Sequence, residues 1–99
     1  PRLGARGIWE RDGGVCQYTG RKLAPHEGNI DHIVPRSRGG PTSWENCVLS
    51  HREVNSKKGD RMPHEVGLRL LRKPHVPKAL PATAFIRNQH GIRDWQMFL

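Results

Sequence analysis

The chain has 99 residues, of which only 34% are hydrophobic, so it forms one small domain with a compact core and many loops, burying about 60–70% of its surface. Seventeen Lys and Arg against nine Asp and Glu give a formal net charge of +8, which suits a polyanionic partner. A membrane is excluded as partner, because no apolar run approaches the ~20 residues of a spanning helix and no basic amphipathic helix stands out.

No signal-peptide pattern is visible. Two cysteines, Cys16 and Cys47, are too few for a disulfide scaffold and point to a reducing, cytoplasmic setting, with one structural disulfide as the alternative.

In chain order, Leu3 to Arg11 carries Ile8 and Trp9 and reads as a short helix ended by Asp12-Gly13-Gly14. Cys16 to Gly20 forms a tight knuckle. Ile30 to Val34 is a short β-rich run stopped by Pro35, which cannot donate into a sheet. Arg36 to Glu45, with Gly39-Gly40-Pro41 inside, is a long loop, and Cys47-Val48-Leu49 returns as a strand. Ser50-His51-Arg52-Glu53 fits a capping box in which Ser50 caps the amide of Glu53. Gly59 supplies the left-handed residue that ends a helix over about residues 51–58. On that helix His51, Asn55 and Lys58 share a face, and Val54 points to the core. A second helix is expected from Pro63 to just before Pro74, with Val66, Leu70 and Leu71 as its apolar stripe. Pro74, Pro77 and Pro81 then make an extended connector over 74–81. The segment 82–99, with Trp95, Phe98 and Leu99 at helical spacing, docks back on a core of about residues 16–72.

The chemistry concentrates at Asp31-His32-Ile33-Val34-Pro35, with Asn46 and Asn55 following 14 and 23 residues after the histidine. Neighbours on a strand point to opposite faces, so Asp31 and His32 serve one site only at a strand end or bulge. Pro35 and the loop after it supply that irregularity. A helix over the hairpin brings Asn55 toward Asp31. Two oxygen ligands with open positions suit Mg²⁺ or Mn²⁺.

Together with Gly39-Gly40, Trp44-Glu45-Asn46, Val48-Leu49 and Asn55-Ser56-Lys57-Lys58-Gly59, this pattern resembles the HNH endonuclease family, from Cys16 to about Arg72. The resemblance implies an α+β, ββα-metal fold. It implies His32 as the general base toward water, Asp31 and Asn55 as metal ligands, and Asn46 as the residue that holds the loop and orients the histidine. An imidazole of ordinary pKa about 6.5 can accept a proton at cellular pH. The implied products are a 5′-phosphate and a 3′-hydroxyl.

Many relatives hold a structural zinc with two CxxC pairs; here those positions read Cys16, Thr19, His51 and Val54. One cysteine of four survives, so structural zinc is not expected, and packing around Trp44 and Tyr18 must hold the knuckle. A remnant site using Cys16, Cys47 and His51 is the weaker alternative. His51 is then either a third metal ligand or phosphate contact, or a helix-start histidine that caps or faces water. Lys58, one turn beyond Asn55, is expected on a phosphate flanking the cut. Arg36, Arg38, Arg52, Lys57 and Arg61 are expected on backbone phosphates, each alone being equally readable as a solvated charge. His26, His64, His75 and His90 have no partners at ligand spacing, and Trp9, Trp95 and Phe98 read as core. Arg69, Arg72 and Lys73 make a charged face without evident chemistry.

The reading is a metal-dependent DNA endonuclease. DNA is preferred to RNA by analogy, without strong sequence specificity, and the chain nicks as a monomer or breaks both strands as a homodimer. The alternatives are a basic nucleic-acid-binding module that does not cut, and a zinc-structured protein-interaction module.

Overall fold

In this computed structural model, which describes residues 2–78, two helices and two strands follow one another as α1 (Ala5–Asp12), β1 (Gly28–His32), β2 (Cys47–His51) and α2 (Arg52–Lys58). Single 3₁₀ turns stand at Pro25–Glu27, Arg36–Arg38 and Pro63–Val66. The strands pair antiparallel, with Ile30 opposite Leu49 and Asp31 opposite Val48. The chain passes from β2 straight into α2, which packs on both strands, while α1 packs against β2. This is the expected α+β, ββα arrangement. The segment 82–99 and Pro81 lie outside the described residues.

Between the strands, one asparagine shapes the loop. Asn46 Oδ1 accepts from the N–H of Val34 at 2.9 Å, and its Nδ2 donates to the carbonyls of Val34 at 3.1 Å and Pro41 at 2.8 Å. The side chain thus takes over the backbone groups of Val34 that a longer strand would have paired. For that reason β1 ends at His32 and not at the expected Val34. The returning loop presses so close that a Cβ on Gly40 would stand 1.7 Å from the Val34 carbonyl oxygen, so no larger residue fits there.

Ile8, Cys16, Cys47 and Leu49 are fully buried at the centre of the core, joined by Tyr18 and Trp44. Burying a side chain such as Ile8 or Leu49 contributes about 1.5–3 kcal/mol. Both cysteines are free thiols. The knuckle closes through Gly20 N–H to the Cys16 carbonyl at 2.8 Å, and it hangs on β2 through Gln17 N–H to the Leu49 carbonyl at 2.9 Å. Tyr18, within the knuckle, and Trp44 are both buried in the core cluster, and Trp44 lies against Gly7 and Arg11 of α1.

A buried ion pair adds to this fastening. Arg11 Nε donates to Asp12 Oδ1 at 2.9 Å, and the same guanidinium donates to the carbonyls of Trp44 and Cys47. Asp12 Oδ2 accepts the Leu49 N–H at 2.8 Å. Arg72, expected on a face without chemistry, donates to Gln17 Oε1 at 3.1 Å and to the Arg11 carbonyl at 2.9 Å.

Two local expectations change. Ser50 lies in β2, opposite Asn29, and its hydroxyl donates to the His51 carbonyl at 3.0 Å. The cap of α2 is His51, whose Nδ1 accepts the Glu53 N–H at 3.1 Å. At the other end of α2, Gly59 has a positive φ of 57° but a ψ of −131°, so the helix ends on a glycine-only conformation other than the expected left-handed one. The helix expected from Pro63 stops after one 3₁₀ turn, because Gly67 turns left-handed and the Leu68 N–H closes on the Pro63 carbonyl at 2.8 Å. The chain then runs irregularly, with Leu68 and Leu70 against the core and Leu71 exposed. Val54 packs against the core as expected.

Candidate metal and phosphate cleft

β1 delivers Asp31 and His32 at its end, α2 delivers Asn55, and the 3₁₀ turn after Pro35 delivers Arg36 and Ser37. These five residues and Asp60 help line one open cleft of about 240 Å³. Adjacent residues share it because His32 is the last residue of β1, where the chain leaves the ladder.

Asp31 is buried, and both its oxygens carry donors. Tyr18 Oη donates to Oδ2 at 2.5 Å, and Lys58 Nζ lies 3.2 Å from Oδ1. Burial pushes the Asp31 carboxyl above the ordinary carboxylate value, against the pull of the Tyr18 and Lys58 hydrogen bonds. The Tyr18 hydroxyl is pushed far upward by burial and by the Asp31 charge, so it stays a donor. His32 is half-buried. Burial first, and the Arg36 charge second, hold its imidazole below the ordinary histidine value, which favours the neutral form.

Lys58 departs most from expectation. Its side chain is fully buried, and Nζ donates to the His32 carbonyl at 2.8 Å as well as to Asp31. It thus serves the carboxylate as an internal cation and does not reach outward toward a flanking phosphate. His51 also lies elsewhere: Nδ1 caps α2, and Nε2 stands 4.0 Å from Glu27, facing the neighbouring pockets. The capping alternative is the one the geometry carries, in place of a third ligand beside Asp31. Asn46 hydrogen-bonds to the loop backbone at Val34 and Pro41.

Of the expected phosphate contacts, Arg36 reaches the cleft. Arg38 is tied to Glu65 by a 2.6 Å ion pair, and Arg52 donates to the His26 carbonyl at 3.3 Å. Lys57 and Arg61 are exposed. Tyr18, Ser37 and Asp60 carried no motif signal, and neither did Thr42, whose hydroxyl lies 2.9 Å from His32 Nε2.

The donor set suits a hard divalent cation. Asn55 spends its amide nitrogen on the Ile30 carbonyl at 3.4 Å, which leaves its side-chain oxygen for a cation beside Asp31. Among the described residues no three His, Cys, Asp or Glu side chains group for metal binding. A cation here would take one carboxylate, one amide oxygen, and water or phosphate oxygens for the rest, as Mg²⁺ and Mn²⁺ do. No helix among the described residues is long and apolar enough to cross a membrane.

Comparison with known proteins agrees with this geometry. A family model described as HNH endonuclease matches residues 16–64. The CRISPR-associated endonuclease Cas9 1 of Streptococcus thermophilus is 32% identical over 65 residues, covering 59% of this chain and 6% of that protein. The CRISPR-associated endonuclease Cas9 of Staphylococcus aureus is 46% identical over 41 residues, 41% of this chain and 4% of that protein. The chain thus spans only a small fraction of either relative's length. Residues 16–64 of this chain therefore belong to the HNH endonuclease family.

Proposed function

We propose that the domain is a metal-dependent DNA endonuclease that hydrolyses phosphodiester bonds at the Asp31–His32–Asn55 cleft. The observation that carries this reading is the convergence of a carboxylate, an amide and a neutral-biased imidazole on one open cleft, with Arg36 beside them. In the reaction, neutral His32 removes a proton from water as the water oxygen bonds to phosphorus. The P–O3′ bond breaks, and the 3′ oxygen leaves and takes a proton from solvent. A 5′-phosphate and a 3′-hydroxyl result. A bound Mg²⁺ or Mn²⁺ supplies charge stabilisation at the phosphate. Asp31 and Asn55 hold that ion, Tyr18 steadies Asp31, and Asn46 fixes the loop beside His32. Arg36, Lys57 and Arg61 meet phosphates, and Arg38 and Arg52 join them once released from Glu65 and His26. The protein works in the cytoplasm, nicking duplex DNA as a monomer or cutting both strands as a homodimer.

One observation favours the runner-up, a binding module that does not cut. Lys58 already supplies Asp31 with a buried cation. Supercoiled plasmid incubated with EDTA, Mg²⁺ or Mn²⁺ separates the two. Nicked circles that need the metal and vanish with His32→Ala support the nuclease. A gel shift without cleavage under every condition gives the module.

A further inference from the structure

A neutral imidazole has one N–H and one lone pair, and the hydrogen bond at one nitrogen decides which atom keeps the proton. His32 has such a bond, from Nε2 to Thr42 Oγ1 at 2.9 Å. Thr42 itself does not line the cleft that His32 shares with Asp31 and Asn55. The loop around Thr42 is clamped from both sides. Asn46 Nδ2 holds the Pro41 carbonyl at 2.8 Å, and the Ser43 carbonyl accepts the N–H groups of Asn46 at 3.1 Å and Cys47 at 3.0 Å.

We infer that Thr42 is a positioning residue that holds His32 in its Nε2–H form and leaves Nδ1 as the proton-accepting atom. The assignment rests on His32 being the base of the proposed reaction. A threonine hydroxyl can donate or accept, so the geometry alone permits two tautomers. In one of them Thr42 donates to Nε2, Nδ1 carries the proton, and the imidazole has no lone pair left for water. In the other, Nε2–H donates to Oγ1 and the Nδ1 lone pair is free. Only the second gives a base. It also keeps the Nε2–H···Oγ1 bond unchanged when Nδ1 gains a proton, so nothing about the ring must reorganise during the transfer. Asn46 thereby reaches His32 indirectly: it fixes Pro41, and the next residue sets the imidazole.

The test reads the ring nitrogens directly and does not depend on cleavage. In protein labelled with ¹⁵N-histidine, the His32 signals are identified by their loss in His32→Gln and recorded where the ring is neutral. The parent is expected to show a protonated Nε2 and an unprotonated Nδ1. Thr42→Val, at an exposed position that tolerates it, is expected to admit the other tautomer and move the two shifts toward each other. Thr42→Ser should restore the parent spectrum. If cleavage is observed, Thr42→Val lowers kcat about tenfold with KM unchanged, and Thr42→Ser recovers it. A parent spectrum with the proton on Nδ1, or a Thr42→Val spectrum identical to the parent, overturns the assignment. A protein that cuts no DNA but shows the expected tautomers would overturn the nuclease reading and leave the role of Thr42 in holding the ring intact.

Discussion

Two buried ion pairs of nearly equal burial do different work in this domain. Arg11 and Asp12 meet at 2.9 Å with side chains 0% and 2% exposed, and Lys58 and Asp31 meet at 3.2 Å with 0% and 3%. The other groups of the first pair are spent on backbone: the carbonyls of Trp44 and Cys47 and the N–H of Leu49. That pair fastens β2 to the end of α1 and opens onto no cleft among those described. The second pair sits at the wall of a cleft shared with His32 and Asn55. Burial and pairing therefore do not separate scaffold from site. What separates them is that Asp31 belongs to the wall of a cleft together with His32 and Asn55.

Breaking the first pair should have the largest effect. Arg11→Met removes the nearer cation from buried Asp12, leaving only Arg72 at 3.9 Å from Oδ1, and is expected to cost about 3 kcal/mol, read from urea unfolding. A loss below about 1 kcal/mol would remove the scaffold role. Lys58→Met should cost about 3 kcal/mol without metal, for the same reason. Here millimolar Mn²⁺ should recover part of the loss, because Asp31 faces the cleft and can take another cation. Arg11→Met should show no such recovery, and an equal response of both variants would erase the distinction. Tyr18→Phe strips one donor from buried Asp31 and should cost about 1–3 kcal/mol.

The smallest effect is on pH dependence. His32 is held below the ordinary value of 6.5 by burial and then by Arg36, so its neutral form persists to lower pH. Cleavage should rise with pH through a midpoint below 6.5 and level off above it. Arg36→Met removes a positive neighbour and should move that midpoint upward. A downward move would contradict the assignment of Arg36 beside the base.

Much of this was legible in the sequence, and the reasons it was legible are local. The strand end at Asp31-His32, the loop around Gly39-Gly40, the central Asn46 and the helix carrying Asn55 follow from turn residues and motif spacing. What escaped depends on distance and depth. Lys58 shares a helix face with Asn55 by spacing, but spacing does not tell whether a lysine on that face is buried. Tyr18 and Thr42 reach Asp31 and His32 across 13 and 10 residues without any motif to connect them. Arg11 finds its carbonyl partners 33 and 36 residues away. The cap of α2 is ambiguous in sequence because both Ser50 and His51 can accept an N–H, and the strand runs one residue further than Ser50, which gives the capping role to His51.

The most direct measurement is an Mn²⁺ titration of ¹⁵N-labelled protein, followed by paramagnetic broadening of assigned amide signals. The account predicts that broadening begins at Asp31, His32 and Asn55, spreads to Asp60, spares Asp12 and is abolished by Asp31→Asn. Broadening centred on Glu27, His51 and Glu53, or none at millimolar Mn²⁺, would contradict the claim that this cleft holds the metal.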